Sequence, residues 1–139
     1  MAETRYINNE YNEIAQDVIN EFPELEYLRG GDIQIIVLSS DATPKQNGRI
    51  VHGVCEKVPS KNKWAIPCDF TIALYDANNV EFSDEQLRIL IFHELLHVGV
   101  DGDKLYVKKH DVEDFAPIID RYGAHWSEPG WTQLSLEDL

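Results

Sequence analysis

Cysteine, methionine and long hydrophobic runs are all scarce in this chain of 139 residues. No segment approaches the ~20 consecutive apolar residues that span a bilayer, and the first residues lack the basic and apolar regions of a secretory signal. The two cysteines, Cys55 and Cys68, are too few for a disulfide framework, so we expect two buried free thiols. These absences predict a cytoplasmic protein that does not enter a membrane.

Positive charge is also scarce, because 12 lysines and arginines stand against 25 acidic residues and leave a net charge of −13. A field of that sign repels a phosphate backbone. The basic residues considered for such a contact are interleaved with acids; they are Lys104, Lys108, Lys109 and Arg121. Nucleic acid is therefore disfavoured as a partner.

The chain does contain enough apolar material for one core, since 43% of its residues are hydrophobic and no repeat or linker divides it. Hydrophobic periodicity predicts an α+β fold. The predicted elements are a helix over 9–22, strands over 33–40, 49–58 and 64–76, a turn over 41–48, and a last helix from about 114 to 123. Pro67 indicates that the pairing of the third strand is interrupted there or begins after it.

The best-signalled element is a helix that begins after Ser83. Ser83 is a good N-cap, and Gln86, three residues on, completes a capping box. The sequence that follows, LRILIFHELLHVGV, is apolar on nearly every face, which indicates a buried helix. Gly99 or Gly102 is its predicted end.

This buried helix contains His93, Glu94 and His97 in an H-E-x-x-H motif. Residues four apart lie on one helical face, so both imidazoles can bind one metal ion. Zinc suits such ligands and lowers the pKa of bound water towards ~7. Glu94 is then placed to take the proton of a zinc-bound water as that water attacks a carbonyl carbon. The competing interpretation is a pair of core histidines, which the cost of burying three polar side chains disfavours.

A three-ligand zinc site needs one more residue, and the metzincin pattern fails because Val100 and Asp103 stand where its glycine and histidine would be. We prefer His110, which follows His97 after enough chain to turn back over the helix. The alternatives are carboxylates, namely Asp111, Glu113 and Asp114, or Asp101 and Asp103. Asp101-Gly102-Asp103 lacks the other positions of a calcium loop and is interpreted as a polar turn. His52 and His125 are expected not to bind metal.

The segments HELLHVG (93–99) and HDVEDF (110–115), with FTIALYD (70–76) upstream, resemble the phage-type metallopeptidase domain family. The arrangement is also similar to SprT-like zinc proteases, in which a third histidine precedes an aromatic residue, here His110 and Phe115. The resemblance covers about 33–122, with 124–139 as a tail, in one zincin-like domain over 1–139. Unlike SprT-like proteases, the chain has no cysteine-rich zinc ribbon, and its charge is acidic.

The resemblance implies a helix, a short mixed sheet of about three to four strands, the motif helix, and a segment that returns the third ligand. It also implies that FTIALYD lies beside the motif helix and offers an exposed edge to an extended peptide. If the protein is phage-encoded, its compartment is the host cytoplasm.

The sequence therefore predicts a zinc metallopeptidase with His93, His97 and His110 as ligands and Glu94 as general base, acting on a protein or peptide. Tyr106 or Tyr122 is a candidate to assist at the oxyanion, and Asp111 or Asp114 a candidate to orient His110. Two other functions stay open: a zinc-containing module that binds a partner without cleaving it, and a hydrolase of non-peptide amides or esters.

Overall fold

The computed structural model describes residues 3–110, 114–128 and 130–131. Within them the helices are α1 (Asn9–Glu21), α2 (Asp84–Leu96) and α3 (Ala116–Tyr122), with short 3-10 helices at Pro23–Leu28 and Ser60–Asn62. The strands are β1 (Arg5–Ile7), β2 (Ile35–Ser40), β3 (Lys45–Gln46), β4 (Arg49–Ile50), β5 (Gly53–Lys57), β6 (Phe70–Tyr75), β7 (Val98–Asp101) and β8 (Lys104–Val107). The predicted α+β fold is confirmed. None of the described helices is long and apolar enough to cross a bilayer.

Four strands form one mixed sheet in the order β1-β2-β6-β5. β2 and β6 are parallel, while β1 and β5 join them antiparallel on either side. Two hairpins, β3–β4 and β7–β8, form separate two-stranded sheets. Because β6 is paired on both sides, the expectation that FTIALYD offers an exposed edge is wrong. The edge on that side belongs to β5.

Local signals fix the starts of the two long helices. The side chain of Asn8 accepts the Tyr11 N–H at 3.0 Å at the start of α1. At the start of α2 the predicted capping box is confirmed, because the Ser83 hydroxyl accepts the Gln86 N–H and the Gln86 side-chain oxygen accepts the Ser83 N–H.

The core lies where α1, α2 and the sheet meet. Phe22, at the end of α1, stacks on Phe92 of α2 with ring centroids 4.1 Å apart. The largest side chains in this core are fully buried; they include Leu25, Phe70, Ile72, Leu74, Ile89, Ile91, Phe92, Leu95, Phe115 and Ile118. The motif helix is therefore held on several sides by apolar packing.

Two predicted elements have wrong boundaries. Helix α2 ends at Leu96, with His97 as C-cap, because the next residues pair with β8 as a hairpin; Gly99 lies in β7 and Gly102 in its turn at φ +60°. The predicted strand over 49–58 is two strands, β4 and β5, because β4 pairs back onto β3 through the Asn47–Gly48 turn.

Other boundaries follow the predictions more closely. The polar turn at 101–103 is confirmed, and β6 begins after Pro67 as expected. Helix α3 begins at Ala116 rather than at about 114, and Gly123 caps it at φ +81°. Both cysteines are free and buried, as expected, and Cys55 lies opposite Ile72 in the pairing of β5 with β6.

Candidate metal centre

Three histidine rings converge at the C-terminal end of α2. His93 lies in the last turn of the helix, His97 caps it, and His110 returns to it after the β7–β8 hairpin. The Nε2 atom of His110 lies 3.1 Å from Nε2 of His93 and 2.9 Å from Nε2 of His97. In the described part of the chain, this is the one group of three or more potential ligands close enough to hold a metal.

The spacing of the three nitrogens fits a metal ion. The ligand atoms of the three residues all lie within 4.8 Å of one another. Nitrogens bound at ~2.0–2.1 Å around a tetrahedral ion lie roughly 3.3 Å apart. The histidine nitrogens are thus already gathered at the distance that one shared ion requires.

The other ring nitrogens of His93 and His97 are occupied by oxygen acceptors. Nδ1 of His97 lies 2.6 Å from the carbonyl oxygen of Lys108, and Nδ1 of His93 lies 2.6 Å from Oδ1 of Asp114. A carbonyl oxygen only accepts, so Nδ1 of His97 carries the hydrogen and Nε2 presents its lone pair. The Asp114 contact favours the same tautomer in His93, as in many metal-binding histidines.

Asp114 is the central residue of the hydrogen-bond network that holds His93. Its Oδ1 also accepts the Phe115 N–H at 2.7 Å, and its Oδ2 accepts the indole N–H of Trp126 at 2.7 Å. The segment that carries Trp126 is held in turn by Gln86, whose side-chain NH2 donates to the carbonyls of Trp126 (2.9 Å) and Glu128 (2.7 Å). Asp114 thus orients His93, not His110 as expected.

Among the carboxylates considered as third ligand, none replaces His110 in the cluster of described residues. Asp101 and Asp103 lie at the turn of the β7–β8 hairpin, and Asp114 is engaged as above. Asp111 and Glu113 lie outside the described residues. His52 bonds Asn79 through Nδ1 at 2.8 Å and His125 bonds Glu128 at 2.9 Å, and neither joins the cluster.

Glu94 lies beside the three imidazoles and is only 3% exposed. One carboxylate oxygen is 3.9 Å from Nε2 of His97, and no hydrogen bond between described residues engages the carboxylate. Burial raises the pKa of Glu94 to about 7; the charge of His93 opposes this shift and that of Asp114 adds to it. The position suits a group that exchanges a proton.

The two helix histidines differ in their proton affinity. Burial disfavours the charged ring of His93, but the hydrogen bond to Asp114 and the charges of Glu94 and Asp114 outweigh it and raise the pKa. Burial lowers the pKa of His97 to about 4, with the charges of His93 and His110 in the same direction, against the Lys108 carbonyl. Burial would also raise the pKa of Asp114, yet its hydrogen bonds, chiefly from His93, hold it below the usual value.

A cleft of about 1260 Å3 opens over this site. One wall is a continuous stretch of chain, residues 49–55, and the floor includes Leu90, His93, Glu94 and His97. Gly53 brings that wall close to the carboxylate, because a Cβ there would lie 3.2 Å from Oε2 of Glu94. A glycine at this point leaves the carboxylate open to the cleft.

Sequence reasoning missed two contributors and proposed two that lie elsewhere. Trp126 and Gly53 touch the site, but no local motif marks either residue. Tyr106 packs on Gly99 and Tyr122 on Trp131, and neither tyrosine lines the cleft. Of the predicted tail, Trp126 lies against His93 with ring centroids 6.1 Å apart, whereas 129 and 132–139 lie outside the described residues.

Comparison with known proteins identifies the family. A family model described as "Putative phage metallopeptidase" matches residues 4–137, a longer stretch than the 33–122 expected from the motifs. No curated protein and no solved structure matches the chain. The family name supports a peptidase that uses a metal, and the three-histidine cluster supplies a place for one. The chain belongs to the putative phage metallopeptidase family.

Proposed function

We propose that the protein is a zinc-dependent metallopeptidase of the H-E-x-x-H type, in which His93, His97 and His110 hold the ion and Glu94 is the general base. The observation that carries the proposal is the convergence of three Nε2 atoms beside a buried carboxylate at the floor of an open cleft. Structural zinc sites are normally closed by four protein ligands, often cysteines. A three-histidine set with an adjacent free carboxylate is typical of a catalytic site instead.

The choice of zinc rests on the donor set. Three neutral imidazoles suit zinc better than they suit magnesium or calcium, which prefer oxygen ligands. When bound, the ion supplies a Lewis acid that lowers the pKa of water towards ~7 and polarises a carbonyl group. Asp114 and the Lys108 carbonyl hold the two helix imidazoles in the binding orientation before the ion arrives.

Glu94 handles the proton in this proposal. Its carboxylate accepts a proton from the water that attacks the carbonyl carbon of the scissile bond, and it donates that proton to the leaving amine nitrogen. Burial, which raises the pKa of this carboxyl, favours its uptake of the proton. Gly53 leaves the space beside Oε2 that the water and the substrate need.

The edge of β5 is the proposed binding place for an extended substrate. Tyr75 donates its N–H to the His52 carbonyl and Val58 donates its N–H to the Asp69 carbonyl, so the even-numbered residues of this segment bond inward to β6. The backbone groups of Gly53, Cys55 and Lys57 therefore point away from β6, to an edge with which no described strand pairs, although β8 packs near it. A peptide that pairs with this edge passes Gly53 and Glu94, as a protein substrate in the cleft must.

The extent of the domain and the compartment in which it acts belong to the same proposal. One zincin-like domain over residues 1–139 accounts for the family match to 4–137 and for the contacts of Trp126 with the centre. We propose that it acts in the cytoplasm, of the host if it is phage-encoded.

Metal content by mass spectrometry tests the ligand set. We expect about one zinc per chain in protein purified without chelator, a clear loss in His110→Ala, and full retention in His125→Ala, whose ring is exposed and outside the cluster. Equal zinc in all three proteins would remove His110 from the site. A parent protein that takes up no metal when zinc is offered would overturn the proposal.

Glu94→Gln separates catalysis from binding. The amide keeps the shape of the side chain but cannot take up the proton, so we expect unchanged zinc and a loss of peptide hydrolysis of at least ~100-fold. The readout is cleavage of an unfolded protein substrate, with and without chelator. If Glu94→Gln cleaves as fast as the parent, Glu94 is not the base. A parent that binds zinc and cleaves peptides poorly but small amides well would favour the non-peptide hydrolase.

A further inference from the structure

The connection from β5 to β6 carries positive charge. Residues 57–68, here called the basic loop, contain Lys57, Lys61 and Lys63 and no acidic residue, in a chain whose net charge is −13. Lys63 is paired with Asp69 at 2.8 Å, whereas no ion pair between described residues involves Lys57 or Lys61. Lys57 and Lys61 can thus attract an anionic partner to this part of an acidic chain.

The same loop exposes apolar surface. The side chain of Trp64 is 88% exposed, more than any other large hydrophobic residue in the described part of the chain, and Ile66 is 40% exposed. A tryptophan gains a large free energy from burial, and tryptophan is enriched among the residues that dominate binding interfaces. An exposed indole three residues after Lys61, in a segment whose Lys57 and Lys61 form no ion pair with a described residue, favours a partner that is both anionic and apolar.

The position of the basic loop connects it with the proposed substrate path. Lys57 is the last residue of β5, and Gly53, beside Glu94, is the first. At ~3.4 Å per residue, an extended chain on the β5 edge covers the distance from Gly53 to Lys57 in four residues. A peptide that continues beyond Lys57 then comes to the end of the sheet at which the basic loop leaves β5.

We propose that the basic loop is a substrate-binding surface that recognises an acidic segment with an apolar or aromatic residue, four to seven residues from the scissile bond. An antiparallel peptide places this segment on the N-terminal side of the bond, because β5 runs from Gly53 at the site towards Lys57. The proposal rests on the peptidase function only for the location of the scissile bond. Binding at the loop does not itself need zinc or Glu94.

A peptide fits the basic loop better than a nucleic acid does. Single-stranded nucleic acid needs a positive groove that follows its backbone, with several stacking platforms. The loop offers one exposed tryptophan and two lysines that form no ion pair with a described residue, and the net charge of −13 repels a long phosphate backbone. A short acidic segment requires only this small contact.

Peptide binding to zinc-loaded Glu94→Gln protein tests the proposal without turnover. The probes are two fluorescent 14-residue peptides with the same serine- and glycine-rich C-terminal half; one has Glu-Glu-Trp-Glu in its N-terminal half, and the other has Ser-Ser-Ser-Ser there. We expect the acidic peptide to bind at least tenfold more tightly by fluorescence anisotropy, with the difference shrinking as salt rises. Equal affinities would overturn the proposal.

A matched pair of variants assigns the binding to the loop. In the Glu94→Gln background, Lys57→Ser with Trp64→Ser should abolish the preference, whereas Lys104→Ser with Val80→Ser, which also removes one lysine and one exposed apolar side chain, should keep it. A second variant, Lys57→Glu with Lys61→Glu, should instead prefer a peptide with lysines in place of the glutamates, which guards against a merely unfolded protein. Preference that persists without Lys57 and Trp64 would overturn the assignment, as would tighter binding of a single-stranded oligonucleotide than of the acidic peptide. Preference without any cleavage by the parent would contradict the peptidase function alone.

Discussion

At the scale of single residues, the candidate metal centre depends on a chain of hydrogen bonds that runs outward from His93. Asp114 accepts from His93 and from the indole of Trp126, and Gln86 fixes the backbone that carries the indole. Each link restricts the freedom of the next, so the imidazole is held in one orientation before an ion binds. Removing a hydrogen bond far from the metal should therefore weaken metal binding measurably.

Trp126→Phe tests this chain. Phenylalanine keeps most of the packing against His93 but has no N–H for Asp114, so we expect zinc affinity to fall by about tenfold. Competition with a chromophoric chelator measures the dissociation constant, and the spectrum of the cobalt-substituted protein reports the ligand geometry. Trp131→Phe is the control, because Trp131 packs on Tyr122 rather than on Asp114. Equal zinc affinity in Trp126→Phe and the parent would mean that Asp114 needs no second donor.

The sequence predicted the members of this site better than their connections. The spacing of His93 and His97 is local, since four residues of helix bring two side chains to one face. The pairing of Asp114 with His93, and of Trp126 with Asp114, depends on where chain segments 12 and 21 residues apart meet in the fold. The periodicity of a sequence does not show which distant segments come together. The sequence alone therefore does not identify Trp126, and it pairs Asp114 with the wrong histidine.

At the scale of elements, the same contrast separates the two ends of α2. The sequence predicts its start correctly because the capping box of Ser83 and Gln86 is a local signal that lies within four residues. Its end was predicted too late because Val98–Asp101 continues the apolar pattern of the helix, and only pairing with Lys104–Val107 makes it a strand. The hairpin formed in this way brings the chain from His97 back to His110.

The close packing of Gly99 and Tyr106 gives a test of this hairpin. A Cβ at Gly99 would lie 2.5 Å from ring carbons of Tyr106, so Gly99→Ala must displace the ring or separate β7 from β8. We expect a loss of about 1–3 kcal/mol in the free energy of unfolding, typical of overpacking. Urea denaturation of the metal-free protein measures the loss without a contribution from zinc.

Tyr106→Ala supplies the matching double-mutant cycle. If the ring is the obstacle, Gly99→Ala should cost much less in the Tyr106→Ala background than in the parent, with a coupling free energy of about 1 kcal/mol or more. Additive losses would place the strain elsewhere in the hairpin.

At the scale of the whole molecule, the sheet joins the N-terminal part of the chain to the part that carries the site. The parallel pair β2–β6 makes this connection. The side chain of Asp69 stabilises the pair where the two strands begin. The Asp69 side chain accepts the Gln34 N–H at 2.9 Å and a hydrogen bond from Lys63 at 2.8 Å. Burial alone would raise the pKa of this carboxyl, but the contacts with Lys63 and Gln34 outweigh it and lower the pKa.

A lowered pKa in the folded state has a defined consequence for stability. The folded protein then binds a proton at Asp69 less readily than the unfolded chain does, so ionised Asp69 stabilises the fold above the unfolded pKa of ~3.9, and this contribution disappears as pH falls through the folded pKa. Asp69→Asn should therefore cost about 1–2 kcal/mol at neutral pH, because two hydrogen bonds to a charged acceptor are weakened. The difference from the parent should shrink steadily below about pH 4.

Urea denaturation of the two metal-free proteins at a series of pH values from 7 to about 2.5 measures that difference. The comparison cancels the general effect of protonating the other carboxylates, which both proteins share. Asp32→Asn, at an exposed position that makes neither hydrogen bond, is the control for loss of one negative charge from the acidic surface. A difference between the parent and Asp69→Asn that stays constant down to the lowest pH would mean that Asp69 acts through its shape, and that its charge contributes nothing to holding β2 against β6.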